Sequence, residues 1–315
     1  MTSTAETHAH PHTPLREWVM FGVLGLIWGS SYLWIKLALG TGPDAGFTPL
    51  LLVTFRVAFG VSGLLGILAA RGMRLPRDGR TLRACAVIGF FNTALPFFLI
   101  SWGETRIASS LAALLNSAQP LFTVVIAHYA LHDEPITASK AAGLMAGFVG
   151  VFVLVSHDFG GHLGSLWGQL AVLAATLSYA GASTYARRSL RGMSPIVQSV
   201  TPLVFALAYL VAGDLVLERR AHLPTTWLPW VAVAWLGLLG SCIAYLLSFT
   251  LMNAWGATRA SLVTYLMPVV GLVLGAVVLG EPTDWRLLAG TALVVGGIAI
   301  VNARSLAAAL RPSTR

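Results

Sequence analysis

The chain has 315 residues, of which 56% are hydrophobic and only 10% are Asp, Glu, Lys or Arg, against about 25% charged in a soluble domain. With a mean hydropathy of +0.77, this composition excludes a water-soluble globule, which could not cover its surface with so few charges. The net charge of +8 does not mark a nucleic-acid binder, because the basic residues stand in short clusters between apolar runs and form no continuous stripe.

A bilayer-spanning helix takes about 20 apolar residues, and ten such runs follow a polar, His-rich tail at 1–16. The first, 17–39, carries Trp28, Ser31 and Tyr32 on one face and Lys36 near its end, where a long stem reaches the headgroups. The second, 48–70, places Arg56 about eight residues in, roughly 12 Å along a helix rising ~1.5 Å per residue. An ionised group at that depth must face the bundle interior. The third run, 83–102, has Asn92 at its centre, and the fourth, 107–129, carries Asn116, Gln119 and a central Pro120. The fifth, 137–156, bears a stripe of Gly143, Gly147 and Gly150. In the sixth, 165–186, Tyr179 and Ser183 take the place that Trp28 and Tyr32 hold in the first. The seventh is 195–216. The eighth, 228–251, repeats Ser241, Tyr245 and Ser248 along one face, the ninth, 257–279, holds Thr264, Tyr265 and Pro268, and the tenth, 284–303, holds Gly290 and Gly297. A polar tail closes the chain at 306–315.

With the N-terminus inside, 14 of the Lys and Arg fall on that side (Arg16, the Arg71–Arg83 loop, Lys140, Arg187, Arg188, Arg191, Arg259, Arg304, Arg311 and Arg315) and 4 on the other (Arg106, Arg219, Arg220 and Arg286). This positive-inside split places both termini in the cytoplasm, as an even number of spans requires.

The two halves resemble each other. Pro120 matches Pro268, and after each comes a Glu-Pro pair, Glu134-Pro135 and Glu281-Pro282, followed by a glycine-rich helix. The chain reads as a duplication of five helices, 17–156 and 165–305. Five is odd, so the second copy enters the membrane from the opposite side, the inverted-repeat plan of many secondary transporters. The fold class expected is therefore an all-α integral membrane protein of ten transmembrane helices in two inverted five-helix repeats.

The opening W-G-S-S-Y-L-W-I-K at 28–36, Arg56, the A-S-x-x-A-x-L-x-x-x-x-P pattern and the paired Glu-Pro helices resemble the EamA branch of the drug/metabolite transporter superfamily. One departure is Asp133-Glu134, where Gly-Glu is usual; Gly280-Glu281 keeps the usual form. The resemblance covers about 15–305 and implies a carrier of the bacterial inner membrane, often an exporter of amino acids or related metabolites.

Other chemistry finds no support. The twelve Asp and Glu lie in tails, loops or span ends, and neither H-E-x-x-H nor a Walker sequence occurs. No catalytic residue, metal site or cofactor is expected, and Cys85 and Cys242 read as small apolar helix residues. The partners expected are a small-molecule substrate and the lipid bilayer, with no nucleic acid; the oligomeric state is left open. The alternative class is a membrane-embedded enzyme or regulator without transport activity.

The candidate substrate site is Trp28, Tyr32, Arg56, Asn92, Asn116, Gln119, Tyr179, Ser183, Tyr245, Thr264 and Tyr265. Tyrosine hydroxyls and Asn amides are costly against acyl chains and collect in a cavity instead. Pro120 and Pro268 each lack the N–H that the fourth preceding carbonyl would accept, so both are expected to kink their helices. With no Asp or Glu expected at mid-depth, the sequence points to transport driven by the solute's own gradient.

Overall fold

The computed structural model describes residues 14–40, 46–130, 136–156, 163–190, 192–218, 223–255 and 261–303. Residues 1–13 and 304–315, Asp44, Asp133, Glu134 and Asp158 lie outside these residues. Among the described residues every regular element is helical. They group into ten rods: α1 (Leu15–Leu39), α2 (Pro49–Ala70), α3 (Gly79–Glu104), α4 (Ser109–Ala130), α5 (Ala138–Ser156), α6 (Leu163–Ser189), α7 (Pro195–Leu217), α8 (227–255), α9 (Leu262–Val278) and α10 (Trp285–Val301). Seven segments, α1 to α5, α7 and Trp227–Ser248 of α8, are long and apolar enough to cross a membrane; α9 and α10 are shorter apolar helices.

Local chemistry sets the rod ends. Thr48, Asp78, Ser194 and Asp284 each accept a hydrogen bond from the backbone N–H three residues on, and Pro49 and Pro195 open α2 and α7, where a missing N–H costs nothing. After α9 the chain turns through Gly280 at φ 65°, a left-handed conformation that only glycine adopts without steric cost.

Rods related by the sequence repeat are irregular at the same places. α3 widens into a π-turn at Phe90–Ala94, and α8 does so at Trp235–Ile243. α4 breaks at Ser117 and Ala118 just before Pro120, and α9 opens through a 3-10 turn, Ser261–Tyr265, just before Pro268.

The packing repeats too. α5 pairs with α10, α2 with α7 and α4 with α9, while α3 on α6 is mirrored by α8 on α1, α2 on α8 by α7 on α3, and α4 on α6 by α9 on α1. Exchanging each rod for its counterpart five places on leaves this set of pairings unchanged. The α5–α10 crossing is glycine against glycine: a Cβ on Gly297 would fall 2.5 Å from the Gly147 nitrogen, and one on Gly143 would fall 2.6 Å from the Gly297 carbonyl. Small residues let the backbones approach where lipid supplies no hydrophobic drive.

Candidate functional site

Arg56 is buried (7% exposed) among rods from both halves. Its guanidinium carbon lies 3.8 Å from the centroid of the Phe97 ring on α3, close enough for a cation–π contact. On the α8 side Gly237 lets the backbones touch, since a Cβ there would fall 2.5 Å from the Arg56 carbonyl, and a Cβ on Gly240 would meet the guanidinium at 4.0 Å. Arg56 feels the electrostatics of Tyr179, Tyr245, Tyr32 and Glu104. Its Nε has no hydrogen-bond partner among the described residues.

Aromatic and amide side chains close around this cation. The Asn116 amide donates to the Tyr32 hydroxyl (2.7 Å), and the Thr176 hydroxyl on α6 donates to the Asn116 carbonyl oxygen (3.4 Å) and to the Val172 carbonyl. The Trp28 indole donates to the Gly240 carbonyl (3.2 Å) and meets Tyr245 edge-on, with ring centroids 6.4 Å apart. Tyr179 meets Phe97 edge-on at 6.5 Å. Six rods, α1, α2, α3, α4, α6 and α8, thus bring together Trp28, Tyr32, Arg56, Asn116, Tyr179 and Tyr245.

The other expected residues are placed differently. Asn92 is half-buried on the π-turn of α3, and half-buried Gln119 opens the second part of α4. The Ser183 hydroxyl donates to the Tyr179 carbonyl one turn back on its own helix (2.7 Å). Half-buried Thr264 sits in the 3-10 turn of α9. The Tyr265 hydroxyl turns to α10, donating to the Ile298 carbonyl (3.1 Å) and accepting from the Asn302 amide (3.2 Å).

Lys36 corrects a sequence expectation. Its ammonium does not reach out to headgroups; it donates to the main-chain carbonyls of Glu104 (2.6 Å) and Ile107 (2.8 Å). Carbonyls at a helix C-terminus are left without intrahelical partners and carry the negative end of its dipole, so an ammonium is favoured there.

Glu104 is a second departure. The sequence places it at a span end, but packing buries it completely (0% exposed), and neither carboxylate oxygen has a hydrogen-bond partner among the described residues.

Glu281, from the repeated Glu-Pro pair, accepts from the backbone N–H groups of Ser109 (2.6 Å) and Ser110 (2.9 Å), capping α4 from a distant part of the chain. Burial pushes its carboxyl up, but the hydrogen bonds from Ser110 and Ser109 together outweigh this and hold it below the ordinary range.

Sequence reasoning missed Phe97, Thr176, Gly237 and Gly240, whose residue types carry no polar or charge signal strong enough to find them. The recurrence of Glu-Pro was a usable signal for Glu281. Among the described residues no group of three or more His, Cys, Asp or Glu could hold a metal ion.

The model of the EamA-like transporter family matches residues 16–156 and 166–303, one copy per half. Over its length the chain is 24% identical to an uncharacterized transporter of Archaeoglobus fulgidus, covering 91% of this chain and 99% of that one. It is 27% identical to the uncharacterized transporter YvbV of Bacillus subtilis (93% of each chain) and 28% identical to the uncharacterized inner membrane transporter YedA of Escherichia coli (83% of each). A crystal structure 21% identical in sequence superposes with a TM-score of 0.66 over 94% of this chain and 99% of that one, a likeness of fold. The repeated family match and the apolar helices make this a multi-pass membrane protein.

Proposed function

We propose a transport mechanism on one established premise, that the chain belongs to the EamA-like transporter family. The protein is a secondary carrier that moves a small organic metabolite bearing a carboxylate, such as an amino acid, outward across the bacterial inner membrane. Its ten rods cross the bilayer as two inverted five-helix repeats with both termini in the cytoplasm. The exchange of packing pairs between halves and the 14 to 4 split of basic residues support this arrangement.

The observation that carries the substrate reading is Arg56, a buried cation whose Nε has no hydrogen-bond partner among the described residues, held by rods of both halves. A guanidinium presents planar paired donors that match a carboxylate, and stacking on Phe97 fixes the plane of that fork. Tyr32, Asn116 and Trp28 add polar edges to apolar walls, the usual make-up of a small-molecule site. The π-turn of α8 holds Gly240 against Trp28 and Arg56, and the broken turn before Pro120 follows Asn116, so non-α backbone adjoins this cluster from both halves. In a bilayer such backbone is tolerated where it is buried in protein or lines a cavity, and here it supplies the hinge for alternating access.

The test is counterflow in liposomes holding purified full-length protein, with a panel of labelled amino acids, nucleobases and cationic drugs. Saturable counterflow of a carboxylate-bearing solute, competed by the free acid and not by its methyl ester, is expected. Absence of counterflow across the panel overturns the carrier reading, and counterflow of cationic drugs alone overturns the role given to Arg56.

A further inference from the structure

Glu104 stands at the end of α3, where α1, α4 and α6 meet it, in a joint closed by two long-range polar contacts. One is Lys36 on the carbonyls of Glu104 and Ile107; the other is Glu281 on the N–H groups of Ser109 and Ser110. Both contacts use backbone groups and leave the Glu104 carboxylate with nothing to bond to among the described residues. The charged and titratable groups facing it are Lys36 and Tyr32 of α1, Arg56 of α2 and Glu281 before α10, with Tyr179 of α6 reaching Arg56. The Lys36 ammonium is engaged by the main-chain carbonyls of Glu104 and Ile107, at 2.6 and 2.8 Å.

A bare carboxylate buried in this way costs several kcal/mol in a low-dielectric interior. A metal cation is a poor remedy, since sodium needs a shell of oxygens and the two carbonyls at hand already hold an ammonium. A proton needs only the carboxylate.

The carboxylate takes no part in the two long-range polar contacts of the joint. The sequence W-G-E-T-R at 102–106 recurs as W-G-A-T-R at 255–259 in the second half. The same sequence pattern is therefore written once with Glu104 and once with Ala257, so the repeated pattern does not itself call for an acid.

We propose that Glu104 is a proton-binding site of the carrier, loaded while the ends of α1, α3 and α4 are closed together and emptied to water when they part. The carboxylate takes a proton from water as the joint closes and returns it when Lys36 leaves the two carbonyls, so a solute cycle that opens this end exchanges one proton there. The coupling rests on the carrier reading; the protonation of Glu104 does not. It replaces the expectation of transport without an ion, which rested on the lack of an Asp or Glu at mid-depth and did not weigh a carboxylate buried at a rod end.

The experiment is infrared difference spectroscopy of the full-length protein in lipid nanodiscs, titrated through neutral pH in H2O and D2O. A protonated-carboxyl band at neutral pH is expected, shifting in D2O, present in Asp78→Asn and lost in Glu104→Gln. Should the Gln variant fail to fold, Glu104→Asp keeps a carboxyl and moves the band. Absence of such a band at neutral pH, a band unaltered by either Glu104 variant, or its removal by sodium at constant pH each overturns the proposal. None of these readouts needs a transported solute, so failure here is distinct from failure of the counterflow test.

Discussion

Adjacent glycines of α10 give a sharp test of the packing. A Cβ on Gly296 would meet nothing within 4 Å, whereas one on Gly297 would fall 2.5 Å from the Gly147 nitrogen, 2.6 Å from the Gly143 carbonyl and 2.7 Å from the Gly147 Cα. Comfortable heavy-atom contacts lie near ~3.5 Å, so Gly297→Ala must part α5 and α10 by about 1 Å. The obstructing atoms are all backbone, and no side-chain rotation relieves them. A gap of ~1 Å forfeits up to about half of each facing dispersion contact, and overpacking typically costs about 1–3 kcal/mol. Gly296→Ala gains up to ~1 kcal/mol of helix propensity. Gly297→Ala gains the same propensity, so the two variants should differ by the overpacking cost of about 1–3 kcal/mol, or roughly 5- to 150-fold in the folded-to-unfolded ratio at ~1.4 kcal/mol per tenfold. Thermal melting in detergent, read by the monodisperse fraction on size exclusion, measures this. Equal melting of the two variants refutes the glycine-to-glycine crossing.

Other outcomes follow from the site and its supports. Arg56→Gln, which removes charge-assisted hydrogen bonds worth about 1.5–3 kcal/mol, should weaken counterflow of a carboxylate solute by roughly 10- to 150-fold in apparent affinity while expression holds. Glu281→Gln should loosen the cap on α4 and, because the folded carboxyl lies below its ordinary value of 4.5, remove a pH dependence present in the wild type. The Glu281 contribution is full above the unfolded value and is lost as pH falls through the lower folded one. Melting curves of the two proteins should therefore diverge above about pH 4.5 and converge in stronger acid; a constant gap across that window refutes it. Cysteines placed at Asp44 and Asp158 should label from outside intact cells with a membrane-impermeant reagent, and labelling of the Arg71–Arg83 loop in their stead would reverse the topology.

Run lengths of apolar residues, Pro and Gly at the joints and the distribution of Arg were enough to mark ten rods and their five-helix duplication, because bilayer thickness and the cost of exposed backbone leave a chain little other choice. Arg56 was legible for the same reason: an ion at that depth must turn inward. Which face of each rod meets which neighbour was not legible. A membrane helix is apolar toward lipid and toward its partners alike, so it lacks the polar-apolar contrast that orients a soluble helix. Phe97 reads as one more apolar residue until α3 lays it over Arg56, and Tyr265 differs from Tyr179 only in the rod it turns to. Lys36 and Glu104 show the same limit for charges: sequence placed both at rod ends, but tertiary packing set the ammonium on two carbonyls and sealed the carboxylate from water, because the joint of α1, α3 and α4 closes over them.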